Sequence, residues 1–500
     1  MVVKTNERRA DEMGKTWKRC LSGLLAAVCI AVGLCALTGC KKKAKSHTRY
    51  EITAEYAPEN RTLAGTAKVT YENGDDGAVS LLKFRLAPNA YRKDALYSPV
   101  STALHAAAYY EGESYGEMVI SSVHGAKSWE VMGDDENILY VYLPETLYQG
   151  DKIVLDIGFL TKLAAVNHRT GVSERVVNLG NFYPVLCGVK NGGFYETVYY
   201  AEGTPFYTDV ADYFLTLTLP KDYVVAVTGG DVTGRTLESK KVCTAACSNA
   251  REFALALSRT YKRLETDVGG KTLAYYYYAD ETPQATLDTA AHAFTYYERM
   301  FGAYPYAVYS LAETGLCLDY AAYSGLSFLS DGLRDFDRAA AIAESLARQW
   351  WGECVGSDQI ENGWQSEGLA AYASACFFDA HTEYGVRRDD LVAKSLQEYR
   401  SYYDVYGSVL GRTDTRMTKH LSEFVNGYEY RCIAHDKAVV MFDTLRKGVG
   451  DKKFFAALKR YYGANRFDMA SVGALVGAFE KSGVDVHGFF DGFLQGKAIL

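Results

Sequence analysis

The chain has 500 residues, 48% hydrophobic and 23% charged, which is enough for two to four packed domains. A formal charge of −7 without a basic stripe of interleaved aromatics excludes a nucleic-acid binder. The 40 tyrosines fall largely in alternating runs and read first as strand surface and core, with an aromatic-lined carbohydrate or peptide groove as the alternative.

At the N-terminus, Lys15, Lys18 and Arg19 precede an apolar run from Leu21 to Leu37, which closes on Leu37-Thr38-Gly39-Cys40. A basic flank, a short apolar core and small residues before a cleavage point describe a secretory signal. The run is shorter than the roughly 20 apolar residues of a spanning helix. Its ending resembles a bacterial lipobox, which implies diacylglycerol on Cys40 and a protein anchored on the extracytoplasmic face of the membrane. Residues 1–40 are then the signal and 41–49 a tether, with Lys41, Lys42, Lys43 and Lys45 beside the bilayer; Met13 heads a more typical signal than Met1. Cys20, Cys29, Cys35 and Cys40 belong to this region. The other seven cysteines are irregularly spaced and imply buried free thiols rather than a disulfide framework or zinc ribbon.

From His47 to about Ser258 the pattern is β. Tyr50, Ile52, Ala54 and Tyr56 alternate with polar residues, as do Ala67, Val69 and Tyr71, and later Tyr213, Leu215, Leu217 and Leu219. An antiparallel domain of sandwich or saddle type over 50–262 follows. After about Leu273 the period becomes helical. Thr282-Pro283 is a helix start with a capping hydroxyl, Gly302 is its stop, and further helices are expected over 337–351, 366–379, 432–447, 451–462 and 470–481. The acidic runs Asp134-Asp135-Glu136 and Asp389-Asp390 read as solvated loops.

Several stretches together carry a family resemblance. "LAGTAKVTYEN", "KFRLAPNAYR", "NLGNFYPVL" and "FYTDVADYFLTLTLPKDYVVAVTGG" look like the N-terminal β domain of the membrane alanyl aminopeptidases, which are gluzincin zinc metallopeptidases. "YYERMFGAYPY", "AIAESLARQWWGE" and "VGDKKFFAALKRYYGANRF" are similar to that family's catalytic domain and C-terminal helices. The resemblance implies a thermolysin-like α+β domain over 270–395 and a helical continuation over 396–500.

In that family the zinc helix reads H-E-x-x-H, followed after 18 residues by a glutamate. Two imidazoles four apart share a helix face and ligate zinc, the distant glutamate completes the set, and the glutamate between the histidines is the general base. The matching positions here are Glu344, Ser345, Arg348 and Glu367, so the spacing and the third ligand persist. Ser345 has no carboxylate to act as base. Arg348 offers no lone pair, and a fixed +1 at ~4 Å from a +2 ion costs roughly 8 kcal/mol at an effective dielectric near 20. The family's amine-binding loop, G-x-M-E-N or G-G-M-E-Y-P-G, aligns on Gly325-Leu326 and puts Ala322 in place of its glutamate. The oxyanion tyrosine, two residues before a lysine, corresponds to His435, with Tyr428 and Tyr430 close by.

No H-E-x-x-H occurs anywhere, and among His292, His381, His420, His435 and His487 no two are three to five residues apart. The expectation is a pseudo-peptidase with no bound zinc, whose former cleft takes a peptide or protein. Arg348 is expected in the metal's place, pairing with both Glu344 and Glu367. Two alternatives stay open: an enzyme of altered chemistry on Glu344, Glu367 and His435, and an active zinc aminopeptidase with other ligands.

Overall fold

The computed structural model describes residues 48–74, 77–411 and 413–500. The apolar run, Cys40 and the lysines after it lie outside these residues. No helix among the described residues is long and apolar enough to cross a membrane.

The β half is built on a seven-stranded sheet. Its strands are β1 (Thr48–Ala57), β2 (Thr62–Glu72), β3 (Glu117–His124), β4 (Lys152–Lys162), β5 (Ala211–Pro220), β6 (Thr233–Leu237) and β7 (Lys240–Ala250), in the order β6-β7-β5-β1-β2-β4-β3. β1 therefore begins two residues inside the stretch read as tether. Period-2 alternation puts Tyr50, Ile52, Ala54 and Tyr56 inward, facing Leu215 and Leu217, and Tyr50 stacks on Tyr213 with ring centroids 5.0 Å apart. The tyrosines of these strands are core residues. Two four-stranded sheets pack against this layer, one built on Val79–Arg85 and Ile138–Leu147, the other on Val177–Gly180 and Ala254–Ser258.

A second mixed sheet of five strands starts the other half: β8 (Lys262–Val268), β9 (Lys271–Tyr277), β10 (Val308–Thr314), β11 (Tyr320–Tyr323) and β12 (Leu326–Ser330), ordered β8-β9-β10-β12-β11. β8 pairs with β9 along its full length. Among the described residues, the helices of eight residues or more are α1 (Pro283–Phe301), α2 (Asp335–Ala347), α3 (Gly363–Ala380), α4 (Arg388–Leu410), α5 (Lys437–Val449), α6 (Asp451–Asn465), α7 (Val472–Glu480) and α8 (His487–Leu494).

Four local readings change. Thr282 precedes α1, but its hydroxyl bonds Asp280 at 3.4 Å and caps no backbone N–H. Asp389 and Asp390 are not loop residues: they stand in the first turn of α4, where carboxylates suit the helix dipole. Asp135 is buried and accepts from the backbone N–H groups of Leu96 and Tyr97, holding that loop shut. The segment expected as one helix over 432–447 opens with a π-helical turn, Arg431–Asp436, before α5.

Candidate functional site

The site is assembled from the C-terminal end of α2, the edge strand β11, the start of α3 and the π-helical turn. Packing holds these pieces. The Gln349 side chain ties the end of α2 to the loop after β11, accepting from Gly325 N–H at 2.8 Å and donating to Tyr323 O at 3.0 Å. Trp350 is fully buried among Phe294, Tyr297 and Tyr304, and its indole N–H donates to Gly302 O at 2.9 Å. Gly368 lets α3 approach α5, because a Cβ there would collide with Ala438 and crowd Phe442.

α2 ends at Ala347, earlier than expected, and Arg348 is its C-cap. The Arg348 guanidinium is buried and turned towards α3. Nη1 lies 2.8 Å from Glu367 Oε1 and donates to Ser366 Oγ at 3.1 Å, while Nη2 donates to Gln359 Oε1 at 2.9 Å and to Thr204 Oγ1 at 3.4 Å. Burial opposes the charge, but Glu367 outweighs it and holds the guanidinium above its ordinary pKa. Thr204 comes from the β half, so this one side chain joins both halves of the molecule.

Glu344, expected to share Arg348, finds its partners elsewhere, on the π-helical turn and on β11. Its Oε1 lies 3.1 Å from His435 Nε2 and accepts from the Tyr320 hydroxyl at 3.2 Å. His435 Nδ1 lies 3.2 Å from Asp436 Oδ1, which also accepts from Ser395. Burial acts to lower the His435 pKa, but Glu344 and Asp436 overcome it and lift the imidazole to about 10. It is therefore an imidazolium at neutral pH, with both nitrogens donating to carboxylates. Glu344 in turn is held below the usual carboxylate range, with burial opposed chiefly by His435.

Ser345 is buried, with its hydroxyl on Ile342 O of its own helix at 3.2 Å. Ala322 lies on β11 opposite Ser327, on the same partly exposed face as Tyr320. The structure brings His435 to Glu344, whereas Tyr428 is exposed and the Tyr430 hydroxyl packs against Gly203 and Gly363. Neither Gln359 nor Thr204 was legible as a site residue before the fold brought it to Arg348. Ser366 and Tyr320 had a signal: one adjoins Glu367, and the other alternates with Ala322 on a strand.

Residues 333–493 match the Peptidase family M1 domain. No curated protein matches the chain. Among solved structures, an M1 zinc metallopeptidase from Deinococcus radiodurans is similar at TM-score 0.62 and 15% identity, over 91% of this chain and 95% of that one. A variant of the same enzyme bound to a Tyr-Ser-Ala substrate gives TM-score 0.62 and 17% identity, over 91% and 94%. A two-domain M1 zinc metallopeptidase variant bound to L-tryptophan gives 0.61 and 16%, over 92% and 96%. Identities this low carry the fold alone. The chain has the two-domain architecture of the M1 metallopeptidases, with N-terminal β sheets followed by a catalytic-type helical region.

Proposed function

We propose that this protein is a lipid-anchored, extracytoplasmic relative of the M1 aminopeptidases that has kept their fold without their zinc chemistry, and that its cleft binds a peptide or protein. The observation that carries this reading is the Arg348–Glu367 ion pair, at 2.8 Å, between the positions spaced as the second histidine and the distant glutamate of a zinc site. The donor set does not fit zinc. A guanidinium has no lone pair to give, and it engages the one carboxylate that the spacing retains. Glu344 is engaged by His435 and Tyr320. Solved relatives holding a tripeptide or an amino acid support a peptide-sized ligand for the cleft.

A second reading, an enzyme of altered chemistry, is favoured by the contact between Glu344 and His435. An imidazolium bonded to a carboxylate at each nitrogen has no free lone pair to serve as base, so binding is the stronger reading. The test is elemental analysis of the purified mature protein beside an aminoacyl-amide cleavage assay. The expected result is zinc well below one equivalent and no cleavage; stoichiometric zinc with activity would overturn the proposal.

A further inference from the structure

A cavity of about 280 Å³ lies between the ends of β1, β2 and β5, the hairpin 189–194 and the loop that joins α6 to α7, and it shares no residue with the positions matched to the zinc site. Its floor is aromatic and buried. Tyr50 and Tyr213 stack on each other there, and Tyr71 meets Phe194 of the hairpin with ring centroids 6.4 Å apart. The more exposed rim carries three carboxylates, Glu72, Asp209 and Asp468, and among the described residues no lysine, arginine or histidine lines it. Two basic side chains reach this wall from outside. Lys152 pairs with Glu72 at 2.9 Å, and Arg251 donates to the backbone oxygens of Thr208 and Asp468 at 2.6 and 3.2 Å. Asp209 accepts from the Val189 N–H at 3.2 Å, which fixes the hairpin against the rim.

One wall is held in a strained conformation. Phe467 lines the cavity with φ at 66°, in the left-handed region that a bulky side chain seldom occupies. Its N–H donates to Cys354 O at 2.7 Å, and Gly356 pins the residues that follow, donating to Asp468 O at 3.0 Å and accepting from Ala470 at 2.8 Å. Strain of this kind persists only where surrounding contacts fix it, and it gathers at binding sites. Here it sets an aromatic ring on the cavity wall. We propose that this cavity binds an organic ammonium ion with an apolar body, of the size of an arylalkylamine. Aromatic faces favour a cation through the ring quadrupole, and the carboxylates favour it by charge. A rim of one sign beside low-dielectric walls concentrates that field at the entrance. The apolar walls take the body of the ligand and the rim takes its ammonium group. The inference uses neither Arg348 nor the zinc-site spacing, so it does not rest on the pseudo-peptidase reading.

The test is calorimetric titration of the purified protein with three probes of one shape: 2-phenylethylammonium, neutral 2-phenylethanol and anionic 3-phenylpropanoate. The cation should bind at least about tenfold more tightly than the alcohol, and the carboxylate should not bind. The cation's affinity should fall as salt rises. Asp209→Asn combined with Asp468→Asn should weaken the cation about tenfold and leave the alcohol unchanged. Phe467→Gly, which suits the left-handed backbone and removes the ring, should weaken both. No binding of the cation, binding that ignores charge, or cation binding that these variants leave intact overturns the proposal. The wild-type series decides even where a variant fails to fold. The chain's own Lys41, Lys42, Lys43 and Lys45 precede Thr48, which lines the cavity, and are the rival occupant. Replacing these lysines by glutamine should leave the cation's affinity unchanged; a rise of about tenfold would assign the rim to them and overturn the proposal.

Discussion

Replacing Arg348 by alanine removes a buried cation that donates to four side chains on two halves of the molecule. The side chains of Arg348 and Glu367 are 4% and 14% exposed, so neither loss is made good by bulk water. Glu367 would keep its charge without the guanidinium 2.8 Å away, and Gln359, Ser366 and Thr204 would each lose a donor. Breaking a buried pair from one side costs about 3–5 kcal/mol, mostly as the desolvation of the carboxylate left behind. Glu367→Ala should cost a similar amount. The double change Arg348→Met with Glu367→Leu should cost far less than the two single changes together, because no uncompensated charge remains. Arg348→Lys should fall between wild type and alanine, since an ammonium cannot reproduce the planar fork. Urea unfolding followed by linear extrapolation measures all four. A cost below about 1 kcal/mol for Arg348→Ala, the range of an exposed pair, would refute the reasoning.

His435 has a folded pKa of about 10 against an ordinary 6.5, so its pairing with Glu344 stabilises fully below pH 6.5 and is lost as pH rises towards 10. Buried Lys437, with its pKa lowered to about 8, contributes with the opposite slope between there and 10.5, so the measurement is the difference in stability between wild type and His435→Gln. That difference should shrink by a few kcal/mol between pH 6.5 and 10, and a flat difference would sink the assignment. Gly368→Ala should destabilise by about 1–3 kcal/mol through forced separation of α3 and α5; an unchanged urea midpoint would show that the helices have room to spare. Cys40→Ser should release the protein from membranes or block its processing. Full membrane retention with normal cleavage would remove the lipoprotein reading. Restoring histidine at 344 and 348 with glutamate at 345 should recover zinc binding measured by elemental analysis, whereas activity should also need Ala322→Glu and His435→Tyr.

Period alone separated the β half from the helical half, because alternation and the 3.6-residue repeat are local properties that burial of one face imposes on the sequence. The inward set Tyr50, Ile52, Ala54 and Tyr56 was legible for that reason. The approach of Arg348 to Glu367 was expected only through the family resemblance, which places both positions around one metal centre. The choice of partner for Glu344 was not legible. Spacing of i,i+4 puts Glu344 and Arg348 on one face of a helix, but the helix ends at Ala347, and the guanidinium turns to Glu367, Ser366 and Gln359 on the following segment. Glu344 is left to a histidine 91 residues away and to a tyrosine on the edge strand. Asp135 shows the same limit: an acidic run looks solvated until a distant loop brings its N–H groups to it. Hydrogen-bond partners brought by remote segments leave no periodic trace in the chain, so only the tertiary structure could name them.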